Sequence, residues 1–251
     1  EPNYFFVVKN NEGKVDYEKG FSPKDLFLKN VLGFQTHRDA YALAYEKQHI
    51  VNRAIELRDI NIPNEEIYKK HNLKDNRDWK LGKARTEIQN DGNWDDKIML
   101  CEYRPFDSRW CYFSYVVMDY PRKELIQNVA KKDNSVLIVS RQCTTDWRYI
   151  FISNKVIEAN LTGTAGRYGA GYAFPLYVYP ETNGQQTIDP ITKRRPNLNP
   201  EIVNQIAKQL GLTFTNEPFD SAQDSSITTF APIDILDYIY AVLHSPKYRE
   251  K

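Results

Sequence analysis

Tyr103-Arg104-Pro105-Phe106-Asp107-Ser108-Arg109-Trp110 places a proline turn between two apolar, aromatic-rich runs, Lys97–Tyr103 and Trp110–Val117. Two such runs on either side of a short turn read as the strands of a β-hairpin. Pro105 fixes its own φ at a value suited to a turn, and Asp107 can accept from backbone N–H groups or from an arginine. Phe106 is expected to anchor the loop in the core. Arg104 and Arg109 can either brace the turn through Asp107 or reach outward to an anion.

Working outward from the hairpin, Tyr4–Val8 and Val31–Tyr45 carry strand-like patterns, with Gly33 interrupting the second and Ala40-Tyr41-Ala42-Leu43 resuming it. Ile50, Val51, Ala54, Ile55 and Leu57 then fall close to helical spacing between Glu46 and Arg58. Asn64–His71 and Asn76–Gln89 read as further helices, the latter stopped by Asp91-Gly92. After the hairpin, Pro121 opens a helix running to about Lys131, and Ser135–Arg141, Trp147–Ser153 and Tyr172–Tyr179 read as strands. Asn199-Pro200-Glu201 begins an amphipathic helix ending at Gly211, with Ile202, Val203, Ile206, Ala207 and Leu210 as its stripe; Ile233–His244 is a second helix, stopped by Ser245-Pro246. Strands are grouped rather than alternating with helices. The expected fold is therefore α+β, a mixed, largely antiparallel sheet with flanking helices and a helical C-terminal part. Residues 1–95 form its helical and linking portion, 96–181 the strand-rich core, and 182–251 a polar loop and the C-terminal helices, all within one compact domain.

The 251 residues are 41% apolar and 27% charged, the balance of a globular protein. Aromatic residues reach 13%, with 17 Tyr, which suits sheets as well as surfaces that stack on bases or sugars. Net charge is only +1, but it is unevenly spread. Tyr103 to Arg195 holds 13 Lys/Arg against 8 Asp/Glu, an excess of +5, whereas Gly211 to Asp237 has 5 acids and no Lys or Arg. A basic face able to meet a phosphate backbone is compatible with this distribution, as is a scattered, solvated surface. Cys101, Cys111 and Cys143 are odd in number and lack Cys-x-x-Cys spacing, which points away from disulfide and zinc frameworks and toward a reducing compartment. With no apolar run of transmembrane length and no signal-peptide pattern at the start, a cytoplasmic location is expected.

Several further segments carry groups suited to binding. Gly33-Phe34-Gln35-Thr36-His37-Arg38-Asp39 follows a turn-permitting glycine with polar and guanidinium groups; Arg38 and Asp39 read equally as a local ion pair or as a contact to nucleic acid. Arg122 and Lys123, in Asp119-Tyr120-Pro121-Arg122-Lys123-Glu124, sit near an expected helix N-terminus, where an anion is favoured. Ser140-Arg141-Gln142 ends one strand, and Thr144-Thr145-Asp146-Trp147-Arg148 leads into the next. Arginine can bind guanine O6 and N7 bidentately and glutamine can bind adenine N6 and N7, so this pair is a plausible base reader and equally a hairpin closure. Thr162-Gly163-Thr164-Ala165-Gly166-Arg167-Tyr168-Gly169 is a small-residue loop with one cation and one aromatic; it lacks the Lys-Ser/Thr ending of a P-loop. Lys193-Arg194-Arg195 is a basic cluster that can add phosphate attraction. Phe174-Pro175-Leu176-Tyr177-Val178-Tyr179-Pro180 alternates, with Phe174, Leu176 and Val178 on one side and the tyrosines on the other.

Taken together, Tyr103–Trp110, Ser140–Gln142 and Phe174–Pro180, joined by the C-terminal run from Asp237 to Arg249, resemble the C-terminal target-recognition region of Type ISP restriction–modification enzymes and their single-chain relatives. The resemblance extends over nearly the whole chain. In that family a Gly-x-x-Thr-x-Arg-Asp segment, matched here by Gly33–Asp39, lies where the methyltransferase portion passes into the recognition portion. Tyr120 departs from the family pattern, standing where an arginine is usual. The resemblance implies sequence-specific recognition of double-stranded DNA, directing methylation and cleavage by the other domains of a parent enzyme. The implied partners are duplex DNA and the methyltransferase domain of the same polypeptide, with no membrane. Arg141, Gln142, Arg148, Arg167 and Tyr168 are the first candidates for DNA contact, followed by Thr36, Arg38, Arg109, Arg122 and Lys193. No cofactor is expected in this chain, S-adenosylmethionine being implied only for the parent.

Catalysis is not expected from the chain itself. Neither a cofactor-binding Gly-rich motif nor an Asp/Asn-Pro-Pro-Tyr/Phe tetrapeptide occurs, and there is no Walker A sequence, hydrolase signature or metal-dependent nuclease cluster. Two other readings stay open. A carbohydrate-binding module requires a row of exposed coplanar aromatics, and a purely structural docking domain requires a large apolar patch.

Overall fold

A computed structural model of the protein describes residues 14–142, 149–163, 169–180, 194–217 and 228–249. In chain order, β1 (Val31–Leu32), β2 (Leu43–Ala44), β3 (Ile98–Arg104) and β4 (Asp107–Tyr112) precede β5 (Val136–Ser140), β6 (Ile150–Ser153), β7 (Val156–Ile157) and β8 (Gly171–Pro175). The expected hairpin is β3–β4, in antiparallel register with Leu100 opposite Trp110 and Arg104 opposite Asp107, although its second strand ends at Tyr112 instead of running on to Val117. Tyr103 is an extra residue on β3, because the register shifts between Glu102 and Arg104. Such a bulge bends its strand and re-aims the side chains beyond it. The hairpin is the centre of a four-stranded sheet ordered β2-β4-β3-β7, in which β7 runs parallel to β3. A second sheet, ordered β1-β8-β5-β6, is antiparallel throughout.

One extended segment joins the two sheets. After β1 the Gly33 N–H donates to Gly171 O in the second sheet, at 3.4 Å. One residue later the Phe34 N–H donates to Ile157 O beside the first sheet, and Phe34 O accepts from the Ala159 N–H. Gly33 sits at this crossing: a Cβ there would lie 2.5 Å from the backbone nitrogen of Ala159. Only glycine lets the two chains approach so closely.

The second sheet separates two cores. Along β5, Val136 and Ile138 face a core shared with Phe34, Leu125 and Val129, while Leu137 faces the other way, toward Phe27, Phe174 and Ile202. This is the period of two that a strand buried on both faces requires. Helices Lys47–Arg58, Asn64–His71 and Leu81–Gln89 cover the first core, and Pro200–Leu210 and Pro232–His244 cover the second. Asn199 caps the former of this last pair by accepting from the Glu201 N–H, and Gly211 ends it at φ 68°. The architecture is α+β with mostly antiparallel strands.

Four local expectations are corrected. Asp39–Ala42 is a single helical turn rather than strand, leaving only Leu43–Ala44 paired to the hairpin. The helix expected from Asn76 begins at Leu81, because the Asn76 side chain accepts from the N–H groups of Asp78 and Trp79 and ties that stretch into a turn. The helix after Pro121 starts only at Lys123, since Arg122 adopts left-handed backbone at φ 57°. Tyr172–Tyr179 is two strands: the chain bends at Leu176, and Tyr177–Val178 pairs with Arg195–Pro196. That bend buries Tyr177 together with Phe174, Leu176 and Val178, cancelling the simple alternation. The strand expected at Tyr4–Val8 lies outside the described residues.

Candidate nucleic-acid interface

The tip of the hairpin is held by charged groups acting on one tyrosine. β7 accompanies β3 only at Cys101 and Glu102, and β2 accompanies β4 only at Trp110 and Cys111, so Tyr103–Ser108 extends past both neighbours. The guanidinium of Arg104 lies 3.8 Å from the Tyr103 ring centre and that of Arg109 lies 4.4 Å from it. The Tyr103 hydroxyl donates to Asp39 Oδ2 at 2.9 Å. Burial and the Asp39 carboxylate raise the Tyr103 pKa, so the phenol stays a donor. Arg109 grips Asp107 through Nε and Nη2, at 3.0 and 2.8 Å, and also donates to the Tyr45 hydroxyl at 3.0 Å. Arg104 Nη1 donates to Glu158 Oε2 at 2.6 Å. Glu158 is almost wholly buried, and desolvation raises its pKa despite Arg104 and the Asn160 N–H. Phe106 does not anchor the loop: it is 98% exposed at the apex, with φ 64°. Pro105 takes the first central position of the turn and Phe106 the second.

Beside this tip the Gly33–Asp39 segment forms a closed ionic cluster. Arg38 pairs with Asp119 rather than with its neighbour Asp39, Nη2 donating to Oδ1 at 2.6 Å. Its Nη1 donates to the carbonyls of Thr36 and Val117, and its plane stacks 4.1 Å from the Trp79 ring centre. With a side chain only 7% exposed, Arg38 is spent on the fold's interior. Asp119 Oδ2 lies 2.6 Å from His37 Nδ1 and accepts from Asn76 Nδ2 at 3.0 Å. Burial alone would raise the Asp119 pKa; the hydrogen bonds from Arg38 and His37 outweigh it and bring the pKa down. Buried Thr36 donates to Asp39 Oδ1 and accepts from the Arg38 N–H. Arg122 Nε donates to Gly33 O at 3.3 Å, bracing the crossing of the two sheets.

The remaining candidates belong to the end of the second sheet. Ser140 opposite Gly171 is the last pair of β5 and β8, and Arg141 and Gln142 follow, both exposed. Gly169, at φ 70°, packs so tightly that a Cβ there would come within 2.8 Å of Arg141 Cβ. Ser140 Oγ donates to Thr162 Oγ1 at 3.3 Å. Arg141 and Gly169 therefore lie side by side. Arg148, Arg167, Tyr168 and Lys193 lie outside the described residues. Residues 158–163 tie this end to the hairpin tip: Glu158 holds Arg104 on one side, and Thr162 meets Ser140 on the other.

Sequence reading missed Glu158 and Trp79, which hold Arg104 and Arg38, and Asn76, which donates to Asp119. Glu158 left one signal, a carboxylate within the apolar run Val156-Ile157-Glu158-Ala159, where an acid needs a buried partner. Among the described residues no cluster of three or more His, Cys, Asp or Glu can hold a metal ion, and no helix is long and apolar enough to cross a membrane.

Residues 25–251 match the family model described as Type ISP C-terminal specificity domain. Three solved structures share the fold. The cryoEM structure of a DrdV–DNA complex aligns with a TM-score of 0.59 at 19% identity, covering 90% of this chain and 20% of that one. A nuclease-deletion mutant of the Type ISP restriction–modification enzyme LlaGI, in complex with a DNA substrate mimic, aligns at 0.53 and 19% identity, over 92% of this chain and 16% of that one. The ATP-dependent Type ISP restriction–modification enzyme LlaBIII, bound to DNA, aligns at 0.57 and 16% identity, over 90% of this chain and 13% of that one. The chain thus spans a fifth or less of each of these proteins. No curated protein matches the chain.

Proposed function

Because the chain belongs to the family of Type ISP C-terminal specificity domains, we propose that it recognises a target sequence in double-stranded DNA on behalf of a restriction–modification enzyme. The observation that carries this reading is the close packing of Gly169 on Arg141 just beyond the paired end of the second sheet, in a chain of the specificity-domain family. Arg141, Gln142, Arg148, Arg167 and Tyr168 are the base-reading candidates, and Lys193 adds phosphate attraction. Thr36, Arg38, Arg109 and Arg122 are engaged within the protein; they support the reading surface by fixing the hairpin and the sheet crossing. Methylation and cleavage belong to other parts of the enzyme, with S-adenosylmethionine serving its methyltransferase domain, and the assembly works in the cytoplasm.

The carbohydrate alternative is less well supported, because much of the aromatic content is otherwise occupied. Tyr41, Tyr112 and Tyr177 are buried, and Tyr103 lies between two guanidinium groups. Selection of bound duplexes from a random library, followed by affinity measurements at rising salt, tests the proposal. A single enriched motif, bound with a Kd that weakens steeply as salt increases, is expected. Sugar binding indifferent to salt, or no affinity for any duplex, would favour the carbohydrate or docking alternatives.

A further inference from the structure

We propose that Phe106 is a wedge that inserts between stacked base pairs when the hairpin tip meets duplex DNA, a role that rests on the DNA-reading function above and adds distortion of one base step to it. The ring is 98% exposed, and its backbone lies at φ 64°, in the left-handed region. Proline followed by a residue of positive φ is the pattern of a type II turn, where glycine or asparagine is the usual second residue. A bulky aromatic there sacrifices backbone comfort and gains no burial. Strain of this kind persists where the surroundings impose it, and it is concentrated at binding sites.

The surroundings do impose it. Arg109 holds Asp107 on one side of the apex and Arg104 is anchored on buried Glu158 on the other, with Tyr103 between the two guanidinium groups. The ring is thus presented on a stiff base, beyond the reach of the flanking strands. A protein-docking surface of comparable exposure is a contiguous apolar patch. Here Phe106 is followed by Asp107, Ser108 and Arg109 and preceded, before Pro105, by Arg104. A rigid, exposed ring at the apex of a braced hairpin suits insertion at a base step, which offers π faces inside. Glu158, which holds Arg104, is four residues from Thr162, which meets Ser140 next to Arg141. Insertion is easiest at a pyrimidine–purine step, so the tip is expected to select such a step by its deformability.

The test uses the protein as produced from its own gene and the duplex enriched by random selection, with 2-aminopurine placed in turn at each adenine. The unsubstituted protein is expected to brighten the probe at one step, and F106W to retain that signal. F106G is expected to lose it and to bind about 10-fold more weakly, with the salt dependence unchanged because no phosphate contact is removed. Unchanged affinity or an undiminished signal in F106G rejects the wedge, as does a loss confined to binding of another protein. If F106G behaves as unsubstituted protein while Arg141→Ala alters base preference, the wedge falls and the reading function stands. If the unsubstituted protein prefers no duplex, both fall.

Discussion

Replacing Phe106 with glycine should make the fold more stable while impairing its task. The ring is 98% exposed, so of the ~200 Å² an aromatic side chain can bury, only a few Å² are lost, about 0.1 kcal/mol at ~25 cal/mol/Å². Left-handed backbone costs a residue with a Cβ about 1–2 kcal/mol, and glycine escapes that cost. Against this, glycine gives the unfolded chain extra freedom worth roughly 0.5–1 kcal/mol. The balance is a gain of about 0.5–1 kcal/mol, or a rise of roughly 1–4 °C in Tm for a domain of this size. Thermal and urea unfolding of F106G measure it, with F106A as the control: alanine keeps the backbone cost and should change stability little. A loss of about 1 kcal/mol or more in F106G would mean that the ring is packed in solution, and the reasoning from exposure and φ would be refuted.

Arg38→Ala should destabilise by about 3–5 kcal/mol in chemical denaturation, because it strips buried Asp119 of its principal partner; a change under 1 kcal/mol would show that the cluster is dispensable. Gly33→Ala drives a Cβ into the backbone of Ala159 and should cost about 3 kcal/mol or more, seen as a lowered urea midpoint, with near-neutral behaviour counting against the sheet crossing. The depressed pKa of Asp119 makes stability depend on acid. As pH falls through about 4, the unfolded chain takes up this proton before the folded one, so the stabilisation present above that pH drains away. Asp119→Asn should flatten that part of the stability–pH curve, whatever its effect at neutral pH. Glu158, whose pKa is raised by burial, works in the opposite sense: the stability it contributes is present at low pH and is lost as pH rises.

The hairpin was legible because its pattern is local: two apolar runs, a proline and an acid that binds the arginine two residues on. Asn64–His71 and the helix after Asn199 followed for the same reason, since periodicity and caps lie within the segment itself. Reading failed where distant partners decide. Arg38 turned away from adjacent Asp39 to Asp119, 81 positions on, where the Trp79 ring packs against its guanidinium. Asn76 ended as a turn because its side chain competes for backbone N–H groups. Phe106 was misplaced because hydrophobicity was weighed without the turn geometry that Pro105 imposes. The motifs that betray kinship, Gly33–Asp39 and Tyr103–Trp110, are chiefly the masonry of the sheet crossing and hairpin. Arg141 and Gln142, at a strand end, carry little local pattern of their own.

Base preference measured across every position of the selected duplex, for the unsubstituted protein and for Arg141→Ala with Gln142→Ala, tests the central claim most directly. The account predicts that discrimination collapses at one or two adjacent base pairs, by roughly 1–3 kcal/mol at each, while the rest of the preference and the thermal stability persist. An unaltered preference profile, or a uniform weakening at all sequences alike, would contradict it.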